Sequence, residues 1–299
     1  MARALIIVNP VAARTNSRTP DLVRTALVGA GWRVDVATTT GPEDARGFAR
    51  QAAADGVDTV AVFGGDGTTM QAAAALIGTE VALGLIPGGT GNLLAGNLRI
   101  PWNPGRAARV LLEGRRRIID VGRMEEGGRT HYFGVTCGAG ADAWVMGQTE
   151  ARHKRRYGIG AYLATTARLL PRLRNTECTV TVDDQTISVH AVMLLVLNCG
   201  EMIPPLVRVR PEISPEDGVL DFVAVSADSP WQGMRGLVRA IVEGYRSKRS
   251  EIPYIRYARG RRFRVETATP LPAQFDGDAV GTTPFTVEVV PRALTVLTN

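Results

Sequence analysis

The feature that constrains this chain most is a regular alternation in its first third. Short apolar, β-rich runs at residues 5–8, 34–37, 59–63 and 81–86 are separated by single helical stretches at 21–29, 42–54 and 68–77, and a further helix begins near Gly91. Within the first helix Leu22, Val23, Ala26 and Leu27 share one face. Strands joined through single helices predict a parallel sheet with right-handed crossovers. Such a sheet binds ligands outside the carboxyl ends of its strands. Three of these four runs end in loops of a kind that binds anions.

After about residue 118 the pattern changes. Longer strands are expected at 179–182, 188–197, 219–225, 262–266 and 285–290, joined by turns such as Asp183-Asp184 and residues 215–218. Strand runs without regular intervening helices predict an antiparallel sandwich or barrel. Helical islands at 160–174 and 230–245 interrupt it, and the last run, 294–297, could return to either sheet. The expectation is therefore α/β plus β: a parallel α/β domain over residues 1–125 and an antiparallel β-sandwich-like domain over 126–299, with no low-complexity linker and no internal repeat.

Composition narrows the function classes. With 45% hydrophobic and 21% charged residues among 299, the chain is an ordinary globular sequence. Its three Cys are odd in number and widely spaced, which argues against a disulfide framework, and its three His lack ligand spacing. No apolar run approaches the ~18 residues of a membrane span. The apolar stretch at the start is too short for a signal peptide, so the expected location is cytoplasmic. The formal charge is +6, carried almost wholly by Arg, with Lys only at positions 154 and 248. Basic clusters lie at 115–117, 152–156, 246–249 and 259–264. They read either as solvated faces or as a surface for anionic lipid or phosphorylated substrates. No nucleic-acid-binding signature accompanies them, so nucleic acid is not an expected partner.

Chemistry concentrates in the loops. Phe63 leads into Gly64-Gly65-Asp66-Gly67-Thr68, where glycines let backbone N–H groups converge on a phosphate and the next helix, starting near Thr68, turns its positive end to it. Asp66 in such a loop hints at Mg²⁺ between carboxylate and phosphate. The next strand ends in Pro87-Gly88-Gly89-Thr90-Gly91-Asn92, whose hydroxyl and amide suit a nucleotide's phosphates or sugar. No Gly-Lys dipeptide is present, which excludes a P-loop. The Gly-x-Gly-x-x-Ala run from Gly138 to Ala143 reads as a tight packing turn. Near the end stands Gln274-Phe275-Asp276-Gly277-Asp278. It is either a hairpin turn or the source of a carboxylate general base, since His and Lys are too scarce to supply one. The stretch from Ser214 to Asp221 is likewise either an acidic turn or an oxygen-ligand cation site.

Taken together, the Gly64–Thr68 loop, the Pro87–Asn92 loop, the Asp217-Gly218-Val219-Leu220-Asp221 turn and Asp276-Gly277-Asp278 resemble the motif series of the diacylglycerol kinase and sphingosine kinase catalytic domain. Their order and spacing are similar to those of the stand-alone bacterial lipid kinases over nearly the whole chain. Arg155-Arg156-Tyr157-Gly158 with Ala161-Tyr162 resembles a further family segment. The resemblance implies a nucleotide-binding α/β domain, a β-sandwich-like partner domain and ATP bound in the cleft between them. It implies that Asn9 and Pro10 begin the first phosphate loop, that Thr39 contacts nucleotide, and that Gly65, Asp66, Gly67, Thr68, Gly89, Thr90 and Asn92 surround the phosphates. It assigns a structural Mg²⁺ to Ser214, Asp217 and the Val219 carbonyl, and a general base to Asp276 or Asp278. The chain departs from the family where Asn9-Pro10 replaces Ser-Gly, where Arg14 stands in for a Lys, where Met70-Gln71 replaces Asn-Glu, and where Asp278 replaces Glu.

The expected activity is transfer of the γ-phosphoryl of ATP to a lipid hydroxyl, of diacylglycerol or a sphingoid base, at an anionic membrane surface. Residues 152–156 and the helix after them are either the contact with that membrane or a core-facing helix with solvated Arg. A soluble acceptor such as NAD, or a nucleotide- and lipid-binding protein without turnover, are the alternatives. Oligomeric state is open, with a homodimer among the options.

Overall fold

The structure is a computed structural model that describes residues 1–12, 18–148, 175–205, 207–226 and 255–299. The helices expected at 160–174 and 230–245, the Arg155–Tyr162 segment, Arg14 and the basic clusters at 152–156 and 246–249 lie outside the described residues. The chain divides into two units, Met1–Ile119 with Arg292–Asn299, and Asp120–Pro291.

In the first unit the apolar runs become β1 (Arg3–Val8), β2 (Arg33–Thr38), β3 (Thr59–Gly64) and β4 (Ala82–Pro87). They pair in parallel in the order β2-β1-β3-β4. Strands β3 and β4 are buried along their whole length, as expected of continuous apolar runs covered on both faces. Between strands lie α1 (Arg18–Gly29), α2 (Asp44–Ala54) and α3 (Asp66–Leu76). The buried stripe of α1 is Thr19, Val23 and Leu27, at helical spacing of four. Leu22 is 50% exposed, so the face expected for it is corrected. Helix α3 begins at Asp66 rather than Thr68, with Gly65 as its N-cap.

Two shorter helices follow, α4 (Leu93–Asn97) and α5 (Pro104–Glu113). The second was not expected, although its start is written in the sequence. The Asn103 side chain accepts from the Arg106 N–H at 3.0 Å and Pro104 occupies the first turn, both standard helix-start chemistry.

Strand β5 (Arg115–Glu126) starts in the first unit and runs into the second, where residues from Gly122 on fold back on β6 (Arg129–Phe133). It continues through β7 (Thr136–Gly140), α6 (Ala141–Gln148), β8 (Thr176–Val182), β9 (Gln185–Ala191) and β10 (Met193–Leu197). A small hairpin, β11 (Glu201–Ile203) and β12 (Val207–Arg208), precedes β13 (Leu220–Val225), β14 (Ile255–Gly260) and β15 (Arg262–Thr267). Last come β16 (Pro272–Phe275), β17 (Asp278–Thr282) and β18 (Phe285–Thr298). One antiparallel layer runs β14-β13-β10-β7-β16-β17, and another is built on β18-β15-β8-β9.

Side chains from both layers share one core, including Cys137, Leu194, Phe222, Val180, Phe263 and Val287. Phe222 and Phe263 stack across it with centroids 6.2 Å apart. The run expected as a single strand at 188–197 is two strands in different layers. The chain changes layer at Val192, whose N–H bonds Val225 O and whose carbonyl accepts from Ala141 N–H, both at 2.9 Å. The final strand crosses between units in the same way. Its first residues pair with β15, and Val296 pairs in parallel with Leu83 of β4.

Candidate functional site

Because β1 to β4 are parallel, the loops after them emerge at one edge of the first unit's sheet. Asn9 follows β1 and ties it to the next loop. Its N–H donates to Phe63 O at 2.9 Å and its Nδ2 donates to Thr68 Oγ1 at 2.7 Å. Its Oδ1 accepts from Val11 N–H at 3.1 Å, which folds the chain tightly around exposed Pro10. Thr39 sits at the end of β2 with its N–H and hydroxyl both directed at Val8 O, at 2.9 and 3.4 Å. Beyond it, the N–H groups of Thr40 and Gly41 and the Thr40 hydroxyl bond Asp44 and hold that carboxyl below its usual range.

The two glycine loops touch. A Cβ on Gly89 would stand 2.5 Å from Gly65 Cα, and one on Gly91 would stand 2.7 Å from Asp66 Oδ2. Asp66 Oδ1 accepts the Leu93 N–H at 2.5 Å, so this carboxylate joins the β3 loop to the start of α4. Asn92, left-handed at φ 49 and buried, closes its own loop by exchanging two hydrogen bonds with Gly89, at 2.9 and 2.8 Å. Thr90 is half-buried in the same loop. The N-cap of α3 is Gly65, which has no side chain to make a capping hydrogen bond. Asn9, Thr39, Gly64–Thr68 and Gly89–Asn92 thus share the carboxyl edge of one sheet, a ledge suited to a polyphosphate.

In the second unit, Asp276 and Gly277 form the two-residue turn between β16 and β17, with φ of 43 and 88. Asp-Gly is the pair such a turn favours. The Asp276 carboxylate is 7% exposed and accepts three backbone N–H bonds, from Gly134 at 2.7 Å and from Val135 and Thr136 at 2.9 Å each. Its role in the architecture is to staple the hairpin to the start of β7. Asp278, one residue past the turn, is exposed.

Sequence reasoning missed Gln274, a buried amide in an otherwise apolar strand. Its Oε1 accepts Gly277 N–H at 3.0 Å and its Nε2 donates to buried Asp142 at 2.8 Å. The signal was a lone polar residue at an inward position. Beneath the hairpin, burial and then the Asp276 charge push the Cys137 thiol well above its ordinary pKa, so it stays protonated. Gly138 and Gly140 close no turn. They lie in β7 at its nearest approach to β10, a correction to the expected packing turn. Beside the hairpin, Ala143, Trp144, Pro272, Ala273, Ala279, Val280 and Gly281 line a largely apolar cavity of about 390 Å³.

The sequence pattern of the diacylglycerol kinase catalytic domain matches residues 3–124, and that of the YegS C-terminal NAD kinase beta sandwich-like domain matches residues 135–298. A diacylglycerol kinase of Mycobacterium tuberculosis is 30% identical, over 88% of this chain and 85% of that one. This chain belongs to the diacylglycerol kinase family.

The family is one of lipid kinases, that is, of phosphotransferases. A family member from Staphylococcus saprophyticus, named diacylglycerol kinase, is 24% identical over 94% of this chain and 90% of its own. An uncharacterized Synechocystis relative is longer, and the match spans 56% of it. Among solved structures, a candidate diacylglycerol kinase from Bacillus anthracis is similar at a TM-score of 0.81 and 26% identity, over 99% of this chain and 97% of that one.

The family's structural Mg²⁺ can be tested against the turn after Ser214. Mg²⁺ takes about six oxygen ligands near ~2.1 Å in strict octahedral geometry. Here Asp217 Oδ1 accepts Val219 N–H at 3.2 Å, and Oδ2 is ion-paired with the Arg259 guanidinium. Among the described residues no three His, Cys, Asp or Glu are grouped to hold a metal. Ser214, Asp217 and Val219 as arranged do not fit a resident Mg²⁺, because a guanidinium stands where the ion would meet Asp217. A residue the sequence reading passed over braces this turn from inside. Fully buried Asp120 accepts Gly218 N–H at 2.7 Å and donates its own N–H to Pro215 O at 2.6 Å.

Proposed function

We propose that the protein transfers the γ-phosphoryl group of ATP to the hydroxyl of a diacylglycerol-like lipid. The observation that carries this reading is the ledge of the first unit, where Asn9–Thr68, Asp66–Leu93 and the Gly65–Gly89 contact lock three loops together at the glycine-capped N-terminus of α3. ATP enters as its Mg²⁺ complex, and the loop amides and the α3 N-terminus neutralise charge on its phosphates. Asp66 has a second task here, fixing one glycine loop against the other.

The base in this reading is Asp278. Asp276 has three of its roughly four lone-pair sites occupied by backbone donors. Asp278 is exposed and placed by a turn whose backbone is held on both sides. Its carboxylate takes the acceptor's proton as the lipid oxygen forms a bond to the γ-phosphorus, and the bond from that phosphorus to ADP breaks. The apolar cavity beside β16 and β17 suits the alkyl part of the acceptor. A net charge of +6 favours an acceptor presented by an anionic bilayer, and no helix among the described residues is long and apolar enough to cross one.

The deciding experiment supplies γ-labelled ATP with mixed anionic vesicles holding diacylglycerol or a sphingoid base, and in a separate arm with NAD. Label in the lipid fraction supports the reading. Label only in NAD replaces the lipid with a soluble acceptor. Nucleotide binding by calorimetry with no labelled product in any arm refutes turnover.

A further inference from the structure

The misfit between the turn and Mg²⁺ has a positive side. Strands β13 and β14 place Asp221 directly opposite Arg259. From there the guanidinium reaches two carboxylates. Its Nη2 pairs with Asp217 Oδ2, and its Nε lies 3.6 Å from Asp221 Oδ2. Both acids are substantially covered, with side chains 27% and 18% exposed, and buried Asp120 adds a third carboxylate whose Oδ2 bonds the backbone of the same turn. Asp217 and Asp221 repel one another unless a cation sits between them. Arg210, held by stacking 3.6 Å over the Tyr257 ring on β14, contributes further positive charge toward Asp221.

We propose that Arg259 is a built-in cation, its guanidinium doing at the 214–221 turn what a bound divalent ion would otherwise do. A planar guanidinium with five donors can serve two carboxylates at once, needs no dehydration of a metal aquo-ion, and is always charged. The turn is then held without metal, and the protein's need for Mg²⁺ reduces to that of its nucleotide.

The test uses the full-length protein without nucleotide or lipid, so its result is independent of what the acceptor is. Mn²⁺ stands in for Mg²⁺ and is read by electron paramagnetic resonance, with thermal melts in EDTA and in millimolar Mg²⁺. The wild type is expected to melt at the same temperature in both and to hold no Mn²⁺ that depends on Asp217. Arg259→Gln is expected to melt several degrees lower in EDTA, to regain part of that loss in Mg²⁺, and to bind about one Mn²⁺ through the freed carboxylates. Wild-type protein that binds Mn²⁺ and loses it in Asp217→Asn or Ser214→Ala overturns the proposal, as does a folded Arg259→Gln protein indifferent to Mn²⁺. If Arg259→Gln does not fold, the wild-type titration against Asp217→Asn decides alone.

Discussion

Gly65 Cα and Gly89 meet so closely that a single added carbon on Gly89 would stand 2.5 Å from Gly65 and 3.2 Å from Asn92 Oδ1. Gly89→Ala therefore forces the two phosphate loops apart. Overpacking of this kind costs about 1–3 kcal/mol. Spent on loop separation, it should weaken ATP binding roughly ten-fold by calorimetry. Gly65→Ala, whose Cβ would sit 3.5 Å from Gly89 Cα, should be much milder. Equal effects of the two changes would mean that the contact does not shape the nucleotide site.

The two acids of the C-terminal hairpin should separate cleanly. Removing the Asp276 carboxylate leaves three buried N–H donors without their acceptor, which costs about 3 kcal/mol or more. Asp276→Ala should therefore show a large drop in urea midpoint. Asp278→Ala should melt like the wild type and lose ~10²–10⁴ in turnover. A stable, inactive Asp276→Ala would reverse the assignment.

Asp221 yields a pH prediction. Burial raises its pKa, and Asp217 and Glu212 push the same way, while Arg259 and Arg210 oppose them without cancelling the rise. An acid whose folded pKa lies above its unfolded value makes the folded state less stable as pH rises through that interval. Asp221→Asn should accordingly gain in melting temperature over the wild type near neutral pH, and the gain should shrink toward pH 4. A difference that grows on acidification would contradict this sign.

The cavity beside the hairpin can be filled without touching the phosphate ledge. Ala279 lines it and is exposed on β17, so Ala279→Phe should fold normally. The apparent KM for a long-chain acceptor should rise roughly ten-fold, since the burial of about two methylenes at about 0.8 kcal/mol each is lost. The KM for ATP should not move. A shared rise in both would place the cavity outside acceptor binding.

Local pattern alone determined much of this protein. Alternating apolar runs and helices forecast β1 to β4 and their parallel order of connection, because backbone hydrogen bonding and side-chain period are short-range properties. Glycine placement marked which strand ends form backbone-lined loops, although that two of these loops touch, so that a Cβ on Gly89 would stand 2.5 Å from Gly65 Cα, is seen only in the fold. Even the start of α5 is written in Asn103-Pro104, a capping side chain followed by a first-turn proline.

Tertiary structure decided what each polar side chain faces. Nothing near Asp66 in sequence announces Leu93, and nothing near Asp276 announces the N–H groups of Gly134, Val135 and Thr136. The Arg259–Asp217 pair joins residues of different strands in the same way. A carboxylate between glycines reads alike whether it serves a backbone, a cation or a substrate. The choice depends on which donors long-range folding brings within hydrogen-bonding distance, and short-range pattern carries no record of them.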